Sequence, residues 1–189
     1  MAYRSFFRLP VVFSLLVLLG SCCANNVCNC DDANADAVAL KFATSGVTPG
    51  SRAFTAADLD TLVLVRVPLP FSASSKAETV RLFRTAAQAN DDLLLNNSTP
   101  FTQVGTARLS RYRYEVQYLA HPTRAGTPTT VLVIDSVQLR GAFAGDGCCT
   151  CYTNTRKTVF AKVPRRAGAA PDSSVVVDLK RQDRILLTK

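Results

Sequence analysis

The chain has 189 residues, of which 48% are apolar and 19% charged, so a disordered chain is excluded and one globular domain is expected. The formal net charge is +8, and it falls to +6 if residues 1–21, which contain Arg4 and Arg8, are removed. A moderate charge of this kind is typical of an ordinary solvated surface, and no nucleic-acid partner is predicted from it.

Residues 1–22 have the organisation of an export signal. Arg4 and Arg8 give a positive start, Val11–Leu19 is an apolar run interrupted only by Ser14, and small residues follow it. As a helix those nine residues would span about 14 Å, roughly half of a hydrocarbon core of about 30 Å, so a membrane-spanning helix is not predicted. Pro10 also opposes extension of the run towards the N-terminus.

The tetrapeptide Leu19-Gly20-Ser21-Cys22 resembles the lipobox of bacterial lipoproteins, in which an aliphatic and two small residues precede an obligatory cysteine. The resemblance covers residues 1–22 only. It implies diacylglycerol attached to the Cys22 thiol, cleavage before Cys22 and acylation of the new amino group. The alternative is an ordinary signal peptide with an unmodified Cys22.

This resemblance sets the expected organisation and location. Residues 1–21 are the expected signal peptide, residues 22–36 a short polar tether, and residues 37–189 the folded domain. We expect a lipoprotein of the cell envelope, with palmitate-type chains on Cys22 holding it on the outer membrane and the membrane side left open. Besides the membrane, the expected partner is an envelope protein or a glycan.

The seven cysteines form two triplets and one extra residue. If Cys22 carries lipid, six remain, which suits an exported chain whose cysteines are paired. Cysteines one or two positions apart rarely reach disulfide geometry, so bridges between the triplets are favoured over bridges within them. The disulfide candidates are Cys23, Cys28, Cys30, Cys148, Cys149 and Cys151.

A thiolate metal site or redox module is the alternative use of these cysteines. Cys28, Cys30, Cys148, Cys149 and Cys151 would supply enough thiolates for a zinc site. Paired Cys-x-x-Cys motifs are absent, however, and an oxidising compartment favours disulfides. The primary prediction therefore includes no metal and no cofactor.

Period-two alternation dominates the sequence after residue 36 and predicts an all-β fold. About eight short strands separated by turn residues favour an antiparallel β-sandwich of immunoglobulin-like type. Residues 55–60 and 86–95 could each hold a helical turn. The strands are predicted over 38–42, 59–67, 78–85, 111–118, 130–143, 157–163, 174–179 and 184–187.

The clearest strand places three tyrosines on one face. Tyr112, Tyr114 and Tyr118 share a parity with Val116, and such a face usually points into a core. A sugar- or peptide-binding platform is the alternative. The segment 130–143 is predicted as one long strand or as a strand with a bulge. Its residues Val131, Val133, Val137 and Leu139 share one parity around Asp135.

No arrangement of residues in the sequence predicts catalysis. The single histidine, His121, precedes a proline in an expected loop and has no recognisable nucleophile or acid partner. No phosphate-binding glycine loop and no zinc-protease motif is present. A binding or structural role is therefore favoured over an enzyme.

Overall fold

The computed structural model describes residues 28–46, 52–119, 126–146, 149–164 and 172–189. The predicted signal peptide and Cys22, Cys23, Cys148 and His121 lie outside these ranges. None of the helices in the described ranges has the length and apolar character needed to cross a membrane. The nine strands are β1 (Val38–Phe42), β2 (Thr61–Pro68), β3 (Glu78–Phe83), β4 (Leu93–Leu95), β5 (Tyr112–Tyr118), β6 (Thr129–Asp146), β7 (Cys149–Val163), β8 (Ser173–Asp178) and β9 (Ile185–Leu187).

The strands form two sheets, and the predicted all-β sandwich is confirmed. The larger sheet has the order β3-β2-β5-β6-β7-β8, with every neighbouring pair antiparallel. The smaller sheet has the order β4-β1-β9, in which β1 is antiparallel to β4 and parallel to β9. In the part of the chain that the structure describes, helical structure is limited to α1 (Asp32–Ala35) and two 3₁₀ turns at Ala86–Asn90 and Leu109–Arg111.

The core lies between the sheets and is built from the alternating residues of each strand. Tyr112, Tyr114 and Tyr118 are at most 6% exposed, so the tyrosine face of β5 points inward. Phe54 bridges the two sheets through edge-to-face contacts with Phe42 at 5.3 Å and with Tyr118 at 5.5 Å between ring centroids. Each such ring contributes about 1.5–3 kcal/mol through burial. A binding platform on this tyrosine face is therefore excluded.

β6 contains a bulge at Asp135, which is one of the two alternatives predicted for this strand. The register with β7 shifts between Ile134 and Ser136, which leaves one extra residue on β6. Leu132 and Ile134 therefore face the core before the bulge, at 1% and 0% exposure, and Val137 does so after it. Asp135 remains on the outer face.

Two elements differ from their predicted positions. β7 begins at Cys149, eight residues before the predicted start, because its first half is polar and shows no hydrophobic alternation. Residues 86–95 contain a 3₁₀ turn followed by β4, a strand of three residues that is too short for a period to show. Residues 55–60 form a turn around Asp58 that leads into β2.

Candidate functional site

The far end of the β6–β7 hairpin forms a two-stranded ribbon. β5 pairs with β6 only up to Ile134, and β8 pairs with β7 only from Thr158 onwards. Residues 139–146 of β6 and 149–157 of β7 therefore pair with each other beyond the main sheet. We call these residues the ribbon, and its outer edge is contacted by residues 28–36.

Two disulfides fix residues 28–36, the stapled segment, to the ribbon. Cys28 is bonded to Cys149 and Cys30 to Cys151, with Cα–Cα distances of 5.4 and 5.3 Å. Both pairs are 121 residues apart in sequence, so the segment advances along β7 in the same direction and by the same two-residue step. For these four cysteines, the predicted pairing between triplets is confirmed.

The alternative metal site of five cysteines finds no support here. Four of the five are joined in disulfides and so present no thiolate to a metal. The fifth, Cys148, lies outside the described residues. Within those residues, no three His, Cys, Asp or Glu side chains are grouped in a way that could hold a metal ion.

Hydrogen bonds continue the attachment of the stapled segment to β7 beyond the disulfides. The backbone N–H of Tyr152 donates to Asp32 Oδ1 over 2.7 Å. The side-chain amide of Asn154 donates to Ala35 O and, over 3.1 Å, to Asp36 Oδ1. The C-terminal part of the predicted tether is therefore bound to the sandwich along its length.

A lysine supports the same contact from β7. Lys157 Nζ donates to Ala35 O over 3.2 Å. Burial lowers the pKa of Lys157; the carboxylate of Asp36 opposes this effect, and the charge of Lys180 adds to it. The positive charge of Lys157 thus lies close enough to Asp36 to interact with its carboxylate.

The loop of residues 96–108 faces the stapled segment. Asn96 Nδ2 donates to Asn34 Oδ1 over 3.1 Å, which ties the loop to the segment. Asn97 Oδ1 accepts the backbone N–H of Leu109 over 2.7 Å. Both amides lie at the start of the loop, where Asn96 ties it to the stapled segment and Asn97 ties it to the residue that follows the end of the loop.

Between the loop, the stapled segment and the ribbon lies an open cavity of about 340 Å³, which we call the polar groove. Its aromatic part is the cross-strand pair Phe143 and Tyr152, whose ring centroids are 5.4 Å apart at an interplanar angle of 64°. Phe143 is 66% exposed, which is unusual for such a large apolar side chain. The groove is lined by Asp32, Asp36, Asn97, Gln103, Gly105, Thr106, Arg108, Phe143 and Tyr152.

A glycine in β6 determines where the Tyr152 ring lies. A Cβ at Gly141 would be 2.5 Å from Tyr152 Cζ and Oη and 2.7 Å from the backbone oxygen of Thr153. The tyrosine ring therefore occupies the space that any side chain at position 141 would need. This close approach fixes the ring beside Phe143.

The charge of the groove is mixed, with acid groups in excess. Asp32 and Asp36 lie on one wall, and Arg108 lies on the other. Arg108 also lines a second open cavity of about 470 Å³ on the far side of the loop, together with Arg111. The loop thus separates a mainly acidic groove from a basic one.

A buried arginine elsewhere in the fold has a structural role. Arg66 is 2% exposed and lies between the rings of Phe101 and Tyr112, at 4.7 and 4.5 Å from their centroids. Its Nη2 donates to Glu78 Oε2 over 2.8 Å and to Thr102 O over 2.7 Å. Its charge is paired with Glu78, its buried Nε has no hydrogen-bond partner among the described residues, and the side chain faces no cavity described above.

A second charged cluster fastens the last residue of the chain. Asp58 accepts hydrogen bonds from Lys189 Nζ over 2.6 Å and from the backbone and hydroxyl of Thr55 over 2.8 Å each. Burial alone would raise the pKa of Asp58, but these hydrogen bonds and the charge of Lys189 outweigh it and lower the pKa. Lys189 also forms two backbone hydrogen bonds with Arg52.

Sequence reasoning missed the polar groove. Phe143 and Tyr152 are nine residues apart in sequence but directly opposite in the ribbon, and the early start of β7 was not predicted. The one available signal was the pair of triplets, since joining them brings residues 28–36 to residues 149–157. That signal locates the stapled segment but not the 96–108 loop.

No family model, no curated protein and no solved structure matches this chain.

Proposed function

We infer that the chain is a membrane-anchored lipoprotein of the bacterial cell envelope whose disulfide-stapled β-sandwich acts by binding. The observation that carries the proposal is the lipobox-like tetrapeptide ending at Cys22, upstream of a body with disulfides between the two cysteine triplets. Lipid on Cys22 would hold the protein on the outer membrane, and an envelope protein or a glycan would be its partner.

Cysteine pairing supports the assignment of Cys22. Two disulfides use four of the seven cysteines, all in pairs between the triplets. If the third member of each triplet follows the same rule, Cys23 pairs with Cys148. Cys22 then has no disulfide partner, as lipid attachment requires.

Stapling also limits how far the body would lie from the lipid. Cys28 is bonded to the ribbon and is only six residues beyond Cys22, a reach of at most about 20 Å when fully extended. The ribbon and the polar groove would therefore lie at the membrane-proximal end of the sandwich.

Labelled palmitate tests the anchor directly. The full chain is expressed in a bacterium with lipoprotein processing and fed labelled palmitate. We expect label on the wild type, none on Cys22→Ser, and undiminished label on the matched control Cys23→Ser. Label that persists on Cys22→Ser, or a wild type without label, overturns the proposal.

Thiol counting tests the cysteine assignment separately. Under denaturing, non-reducing conditions we expect no free thiol in the mature wild type and one free thiol in Cys23→Ser. Peptide mapping of the unreduced protein would place that thiol at Cys148. Several free thiols with bound zinc would instead establish the thiolate metal module.

A further inference from the structure

We propose that the polar groove binds a neutral oligosaccharide chain, with the exposed face of Phe143 stacking on a sugar ring. The inference rests on the proposed binding role and names the class of its ligand. At about 340 Å³ the groove lies at the lower end of the volume range of small-ligand sites, and it is open along its length.

The side chains that line the groove suit hydroxyl groups. Carboxylates such as Asp32 only accept hydrogen bonds, the guanidinium of Arg108 only donates them, and Gln103 does both. A sugar hydroxyl both donates and accepts, so one ring with neighbouring hydroxyls can satisfy all three kinds of group. Its C–H face is apolar and can cover Phe143, which is 66% exposed.

The arrangement argues against a peptide strand as the occupant. Peptides that bind as an added strand need an unpaired sheet edge and pockets for alternate side chains. Here the stapled segment runs along β7, and the N–H of Tyr152 is already bonded to Asp32. The groove therefore offers side chains, not a free backbone ladder.

Charge argues against an anionic ligand. Asp32 and Asp36 on one wall exceed the single charge of Arg108 on the other. An anionic glycan would meet the two carboxylates on this wall, which disfavours its binding. Binding of a neutral chain should accordingly depend little on ionic strength.

The groove is held in shape before any ligand arrives. Asp36 is 6% exposed and bonded to Asn154, Asn97 is bonded to the backbone of Leu109, and Tyr152 is packed over Gly141. Fixed side chains lose little conformational entropy on binding, which raises the affinity for a weakly interacting ligand.

The test uses full-length mature protein purified in detergent and titrated calorimetrically. The probes are malto-, cello-, chito- and manno-oligosaccharides, with an oligogalacturonate as the anionic comparison. We expect at least one neutral probe to bind, with an affinity that salt changes little. Phe143→Ala should weaken it at least about fivefold.

A matched control is present in the same sheet. Phe83 on β3 is 65% exposed, almost the same as Phe143, and does not line the groove, so Phe83→Ala should bind like the wild type. Gln103→Ala, on the exposed loop, should weaken binding without a change in the unfolding midpoint.

Several results overturn the inference. They are no binding of any neutral probe, equal binding by Phe143→Ala and the wild type, or binding of the galacturonate alone with strong salt dependence. Failure of the anchoring proposal is distinguishable from failure of the glycan proposal, because palmitate labelling tests the anchor without any glycan. Labelled protein that binds no neutral probe refutes the glycan ligand and leaves the anchor standing.

Discussion

Removing the two disulfides singly and together should give strongly non-additive losses of stability. The single variants are Cys28→Ala with Cys149→Ala, and Cys30→Ala with Cys151→Ala; the combined variant carries all four changes. Both bridges close nearly the same loop, with 121 residues between the partners of each. Either bridge alone therefore keeps most of the restriction on the unfolded chain.

The expected magnitudes follow from loop entropy. The first bridge closes a loop of some 120 residues. In the chain-entropy model, this restriction of the unfolded chain stabilises the fold by about 5 kcal/mol. The second closes only the small ring formed by residues 28–30 and 149–151, which is worth about 2 kcal/mol. Each single removal should cost about 2 kcal/mol, and removal of both should cost about 7 kcal/mol.

Urea unfolding followed by far-ultraviolet circular dichroism measures these losses. The comparison is made in a background with Cys23→Ser and Cys148→Ser, so that no third bridge keeps the long loop closed. With Cys23 and Cys148 restored, the combined variant should lose only about 5 kcal/mol, because the proposed third bridge still closes that loop.

The relative sizes of the stability losses in the single and combined variants test the loop-entropy explanation. Small domains have about 5–15 kcal/mol of stability, so the combined variant in this background can be unfolded in buffer while both single variants are folded. Unfolding of the combined variant alone agrees with the loop-entropy explanation. Equal losses of about 5 kcal/mol from each single removal, or a combined loss equal to the sum of the singles, would refute it.

Three further predictions concern individual side chains. Gly141→Ala should displace Tyr152 and lower stability by about 1–3 kcal/mol in urea unfolding, whereas Gly145→Ala, whose Cβ would approach nothing closer than 4.0 Å, should be nearly neutral. Arg66→Lys should cost about 2 kcal/mol in the same assay, because an ammonium lacks the planar guanidinium that stacks between two rings and holds two acceptors; an unchanged midpoint would contradict this. Since the pKa of Asp58 is lowered in the folded state, its stabilisation is present above the unfolded pKa of about 3.9 and is lost as the pH falls further; Asp58→Asn should flatten this acid limb in thermal melts from pH 2 to 6, and an equally steep limb would contradict it.

Strand prediction succeeded where hydrophobic alternation and burial coincide. In β5, residues on one parity are buried and their neighbours lie on the outer face, so the period of two was sufficient. In β6 the pattern left a straight strand and a bulged strand as alternatives, because four consecutive apolar residues precede Asp135 and parity alone does not decide between the two. Strand prediction missed the first half of β7, which is polar because the ribbon has no hydrophobic sheet to pack against.

The groove was beyond sequence reasoning for a different reason. Its three walls are formed by residues near 32, near 105 and near 150. Disulfides connect the first wall to the third, whereas the connection of the first wall to the second is a hydrogen bond. The disulfides could be anticipated from the cysteine count. The contact between Asn96 and Asn34 rests on two side-chain amides, which any polar loop could supply, so nothing in the sequence distinguishes it.

The stapled segment, which follows the proposed anchor at Cys22 in the chain, also forms the acidic wall of the groove, and this coupling has a mechanical consequence. If lipid is attached at Cys22 as proposed, tension on the anchor passes along the chain and reaches the Cys28–Cys149 bridge before it reaches Asp32. The hydrogen bond between Asp32 and Tyr152 has a net value of only about 1.5–3 kcal/mol, so on its own it would open readily under load. The two disulfides precede this hydrogen bond along the chain, so they transmit the tension to β7 instead.

Reduction of the disulfides should therefore weaken glycan binding without any change in the groove side chains, because it frees the acidic wall from the ribbon. Calorimetric titration of the reduced, thiol-blocked protein would measure this, and an affinity equal to that of the oxidised protein would show that the hydrogen bonds alone hold the wall in place.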